Sequence, residues 1–119
     1  MGKRLSRDEF LSGKDLVTED VDVPELGGTV RVTELSVGEM EAFYGSFPAD
    51  VDGKRVAKLE HFREKLLSFT VVDEAGNRLF IDDDIPALGK KSLKVVQRLF
   101  EVAQRLNGMA AEKDAIEKK

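Results

Sequence analysis

Few residues in this 119-residue chain are of the types that carry chemistry, and their spacing argues against most of it. Cysteine is absent, which removes disulfide scaffolds and thiol nucleophiles. His61 is the only histidine, and with no cysteine and no second histidine neither a transition-metal cluster nor a histidine-based nucleophile system is expected within one chain. Its helical-wheel position, opposite Leu59, Phe62 and Leu66, puts it on an exposed face. The run Asp82, Asp83, Asp84 invites a hard cation. However, neither this run nor DEAGN (73–77) has the alternating oxygen ligands of a calcium loop, so both read as solvated acidic loops. Gly27, Gly28 and Gly76 lack phosphate-cradling spacing and read as turn glycines. No catalytic, cofactor-binding or metal-ligating residue is assigned, and no cofactor is expected. Arg63 stands apart because it projects into an apolar helical stripe. Either its stem packs on the core with the guanidinium reaching outward, or it forms an interfacial or buried ion pair that fixes helix register.

Charge is more informative than chemistry. Charged residues make up 35% of the chain, the net charge is −4, and the pI is near 5.1, which opposes nucleic-acid binding by phosphate neutralisation. The distribution is uneven. Glu19, Asp20, Asp22 and Glu25 lie together without a base, and Asp73, Glu74, Asp82, Asp83 and Asp84 face only Arg78. Lys90, Lys91, Lys94, Arg98 and Arg105 cluster against Glu101 alone. A basic helix face could meet the acidic stretch of a neighbouring copy. Such a contact is heterologous and builds a ring or an open helix. The plainer reading is a solvated surface of mixed charge.

These residues must be positioned by a small fold. A hydrophobic fraction of 41% suits one modest core, so we expect one domain over 1–109 and a polar, flexible tail over 110–119. No apolar run approaches the roughly 18 residues of a membrane span, and MGKRLSRDEF lacks the apolar core of a signal peptide, so no membrane partner is expected. Ser6 with Glu9, and Ser36 with Glu39, have capping-box spacing and predict two short helices. The first is stopped by Gly13 and the second by Gly45 and Pro48. Val37, Met40, Phe43, Tyr44 and Phe47 are assigned to the second helix's buried face. Alternation around Val21, Val23, Val30 and Val32, with a turn at PELGG (24–28), predicts a β-hairpin over 16–34 with a loop longer than two residues. A longer helix is expected from about Arg55 to Val71, with a stripe of Val56, Leu59, Phe62, Leu66, Leu67 and Phe69. The fold class is mainly α with a small N-terminal β-hairpin (α+β), a compact helical single domain.

The last helix, about Ser92 to Leu106 with Asn107 and Gly108 as its stop, is the most informative. Leu93, Val95, Val96, Leu99, Phe100, Val102, Ala103 and Leu106 all fall in one half of its wheel. Lys94, Gln97, Arg98, Glu101, Gln104 and Arg105 fall in the other. A helix packing on one neighbour needs a stripe little more than 100° wide, so this one can contact two neighbours. Either both lie within the chain, or part of the stripe meets another subunit or a client. The residues assigned to partner binding or self-association are Leu99, Phe100, Ala103 and Leu106, with Lys94, Arg98, Arg105, Asp82, Asp83 and Asp84.

Several phrases, in order, resemble the tail assembly chaperones of long-tailed (siphovirus-type) bacteriophages. They are SRDEFL (6–11), EDVDVPELGGTVRV (19–32), TELSVGEMEAF (33–43), VVDEAGNRLF (71–80) and LFEVAQRLNGM (99–109), spread along nearly the whole chain. The resemblance implies a non-enzymatic assembly factor that holds the tape measure protein and recruits major tail protein subunits. It also implies spiral or ring self-association, action in the host cytoplasm, and absence from the mature virion. A longer product made by programmed frameshifting is a further implication, and Lys118–Lys119 fits A-rich slippery codons. The alternatives are a structural virion component, such as a tail-completion or connector subunit, and an adaptor in the host cytosol.

Overall fold

A computed structural model describes residues 3–47 and 61–109. The elements are α1 (Arg7–Ser12), β1 (Thr18–Val23), β2 (Gly28–Thr33), α2 (Val37–Gly45), α3 (Phe62–Thr70), β3 (Val71–Val72), α4 (Ile85–Leu88) and α5 (Leu93–Leu106). Both capping boxes form as their spacing requires. Ser6 Oγ accepts from the Glu9 amide at 3.1 Å while Glu9 accepts from the Ser6 amide at 2.9 Å. Ser36 and Glu39 repeat this reciprocal pair at 3.2 and 3.0 Å. A 3₁₀ turn at Pro24–Leu26 joins β1 to β2 and ends at Gly27, whose φ of 78° suits a residue without Cβ.

The hairpin is in register from Thr18 opposite Thr33 to Val23 opposite Gly28. It is two-thirds of a sheet rather than a separate unit, because β3 pairs antiparallel with β2 through Arg31–Val72 and Val32–Val71. The long helix expected to run to Val71 therefore ends one residue sooner. Val71 and Val72 are both buried β-branched residues, and the strand lets them fill the inner and outer sides of the sheet. Residues 48–60, including Val56 and Leu59, and the tail 110–119 lie outside the described residues.

Strand alternation puts Val21, Val23, Val32 and Val71 on one sheet face, against which α5 packs. On its other side α5 packs against α3, so its broad apolar half is closed by two neighbours within the chain. Ala103 is fully buried there, where a larger side chain would hold the layers apart. Phe43 of α2, also fully buried, is the hub of an aromatic cluster. Its ring meets Phe47, Phe62 and Phe69 edge-on at 5.3, 5.4 and 5.7 Å, and Phe62 carries the contact on to Phe100 at 5.8 Å. The buried hydroxyls of Ser68 and Thr70 donate back to the carbonyls of Lys65 and Leu66 at 2.7 and 2.8 Å. Val37 departs from its assigned face: at the first position of α2 it is 78% exposed.

Asn107 does more than stop α5. Its Oδ1 accepts from the Leu35 amide at 2.7 Å and its Nδ2 donates to the Ala103 carbonyl at 2.9 Å, tying the helix end to the chain leaving β2. Asn107→Ala leaves the half-buried Leu35 amide unpaired and should cost about 1–3 kcal/mol in urea unfolding. Leu99→Asp places a charge inside the core rather than on a surface. It should remove the cooperative unfolding transition seen by circular dichroism, since burying an unpaired charge costs several kcal/mol, about the whole stability of a small domain.

Candidate functional site

The residues assigned to partner binding do not form one patch. Leu99, Phe100 and Ala103 are core, at 7%, 7% and 0% exposure, and Leu106 is half-buried beside them. As a partner-facing set this apolar group is corrected by the fold: the neighbours the wide stripe asks for are α3 and the sheet. All the apolar residues of α5 point inward except Leu93, which is 71% exposed at the first turn.

Two of the assigned cations are also engaged internally. Arg98 donates to both carboxylate oxygens of Glu25 at 2.9 and 2.7 Å, and Arg105 donates to Glu19 at 3.0 Å. The acidic stretch 18–25 thus meets the basic helix face inside one chain. These pairs latch the hydrophilic edge of α5 across the hairpin whose inner face it covers. The Arg98 hydrogen bonds are the main cause holding the Glu25 carboxyl down from its ordinary 4.5 to about 2. Its own backbone amide and the charges of Arg98 and Lys94 assist, and desolvation opposes.

What remains is smaller and divided by sign. Lys90, Lys91 and Lys94 are exposed around Leu93, at the corner between α4 and α5. On the far side of the sheet, where the Asp20–Arg31 and Arg31–Val72 pairs lie, is a cleft of about 320 Å³. Asp20, Asp73 and Glu74 line it along with Val72 and the half-exposed Leu79. Arg31 Nε donates to Asp20 at 3.1 Å, and Asp73 accepts the Ala75 and Asn77 amides at 2.9 and 3.0 Å to shape the DEAGN turn. The run Asp82, Asp83, Asp84 forms a 3₁₀ turn, in which Asp82 meets Arg78 at 3.3 Å and Asp84 accepts from the Ile81 amide at 2.9 Å. Asp83 is exposed. Among the described residues no group of His, Cys, Asp and Glu is arranged to hold a metal ion.

Sequence reasoning passed over Arg78, whose signal was its place as the lone base in an acidic stretch. Its Nε donates to the Ser68 carbonyl at 2.7 Å, and its guanidinium lies 4.3 Å above the Phe69 ring, pinning the 73–84 loop to the end of α3. Arg63 is exposed at the α3–α5 border. It bonds Gln97 Oε1 at 2.9 Å with its guanidinium 5.4 Å from the Phe100 ring, so its stem covers the core as the first of its two readings held. His61 is exposed as expected but precedes α3 with φ at 61°.

No protein-family model matches the sequence, and no curated protein matches it closely enough to count as a relative. A solved structure does match in three dimensions: the tail assembly chaperone of bacteriophage HK97, with a TM-score of 0.55 and 20% identity. The match covers 83% of this chain and 90% of the other. The fold is that of a phage tail assembly chaperone. This tail-chaperone fold takes in both layers described above, since the share of chain covered exceeds anything the hairpin or the helices supply separately.

The latch at Glu25 has a pH signature. A carboxyl with a lowered folded-state pKa adds stability that is present above its ordinary value of 4.5 and lost as pH falls towards about 2. Arg98→Gln should therefore lower the melting temperature at neutral pH, with the gap to the parent protein closing between pH 4.5 and 2. A gap unchanged by pH in thermal unfolding would mean that the pair contributes nothing through charge.

Proposed function

We propose that this chain is a tail assembly chaperone of a long-tailed phage, a non-catalytic protein that binds the tape measure protein and recruits major tail protein while the tail tube is built. It acts in the host cytoplasm, associates with copies of itself in an open spiral or ring, and does not remain in the finished virion. A second, longer product made by frameshifting belongs to the same reading. The observation that carries it is the likeness to the HK97 protein over 83% of this chain and 90% of that one, which agrees with the ordered phrases from SRDEFL to LFEVAQRLNGM. The residues we assign to partners are the exposed Lys94, Asp82 and Asp83, with the half-buried Asp84 and Leu106 beside them. Leu99, Phe100 and Ala103 hold the helix that presents Lys94 and Leu106.

Two measurements test this reading together. The full chain, affinity-tagged and co-expressed with the neighbouring phage tail genes, should capture the tape measure protein, and mass spectrometry of purified particles should find no copy of the chain. Stoichiometric recovery from mature virions would instead make it a structural tail component. Failure to capture either tail protein at any salt concentration would overturn the chaperone reading itself.

A further inference from the structure

Among the described residues, two patches of unlike charge each supply what the other lacks. The first is the corner before α5, where Lys90, Lys91 and Lys94 surround the 71% exposed Leu93. Lys90 and Lys91 make no ion pair among the described residues, while Lys94 lies close enough to Glu25 to help lower its pKa. The second is the cleft of about 320 Å³ on the outer sheet face, with Val72 and Leu79 as apolar lining and three carboxylates, Asp20, Asp73 and Glu74, against the single cation Arg31. Glu74 likewise makes no ion pair among the described residues.

We infer that these patches bind one another between copies of this chain: Leu93 of one copy seats against Val72 and Leu79 of the next, with Lys90 and Lys91 facing Glu74 and Asp20. The cleft has room for a leucine side chain, and an exposed apolar residue ringed by charge, opposite an apolar floor ringed by the other charge, is the pattern of a specific docking contact. Strand alternation decides the geometry. The cleft is on the sheet face turned away from α5, so the two patches of one molecule lie on opposite sides of its sheet. Pairing like patches would set lysine on lysine or carboxylate on carboxylate. The contact is therefore heterologous, and each copy added leaves one patch open at either end, giving a row or a ring.

This contact specifies the self-association named above and rests on that part of the reading alone. It is tested by analytical ultracentrifugation of the full chain. The parent protein should associate with rising concentration, and raising salt from about 0.05 to about 0.5 M should weaken association about tenfold. A corner variant (Lys90→Ser, Lys91→Ser, Leu93→Ser) and a cleft variant (Glu74→Ser, Leu79→Ser) change only exposed side chains, so each should keep its circular dichroism spectrum. Each alone should be monomeric. Mixed, they should form a one-to-one pair that grows no further, because one intact corner meets one intact cleft. A monomeric parent chain overturns both the contact and the self-association. An oligomeric parent whose variants still associate, or whose variants fail to pair when mixed, overturns the contact and leaves self-association through another surface. Capture of tail proteins is read separately and is untouched by either result.

Discussion

The burial of α5 on two sides is the constraint on which the rest of this structure depends. Half of its circumference is apolar, more than one neighbour can cover, so a stable domain must bring two layers to it. The sheet supplies one through Val21, Val23, Val32 and Val71, and α3 supplies the other through Leu66 and Leu67. At about 25 cal/mol per Å² of apolar surface removed from water, this sandwich is the main stabilising term available to so small a chain. Other features follow as consequences. Ala103, fully buried, leaves the layers room to approach. Asn107 anchors the helix end where the layers separate, and the aromatic ring cluster around Phe43 fastens α2 to the same core.

The same constraint sorts the charges. Placing α5 across the hairpin brings its basic flank over the acidic one, so Arg98 reaches Glu25 and Arg105 reaches Glu19. These pairs are part-exposed and act as guides to register more than as sources of stability. Their formation removes the most obvious charges from any external role and leaves a basic corner and an acidic cleft on opposite sides of the sheet.

The likeness to the HK97 tail assembly chaperone at 20% identity has a physical basis in this arrangement. A two-layer sandwich of sheet and helices around one amphipathic helix asks for apolar residues at given periods, not for particular side chains. Chains that diverge widely can therefore keep the fold while their exposed corners and clefts change.

Much of this was legible in local pattern. Capping boxes at Ser6 and Ser36, the hairpin around PELGG, and the full segregation of α5 are short-range features, since capping, turn chemistry and periodicity act within a few residues. The absence of cysteine was likewise plain without reference to any fold. Pairing across distance was not legible. Val71 read as the end of a helix until β2 offered it and Val72 partners, and Asn107 read as a stop signal until Leu35 lay beside it. Most of all, sequence could count the acidic and basic residues of the wide-striped helix and its surroundings but could not say which would meet. Ion pairs are set by distances of a few ångström between segments dozens of residues apart, and only the packing of α5 against the sheet brings Arg98 to Glu25.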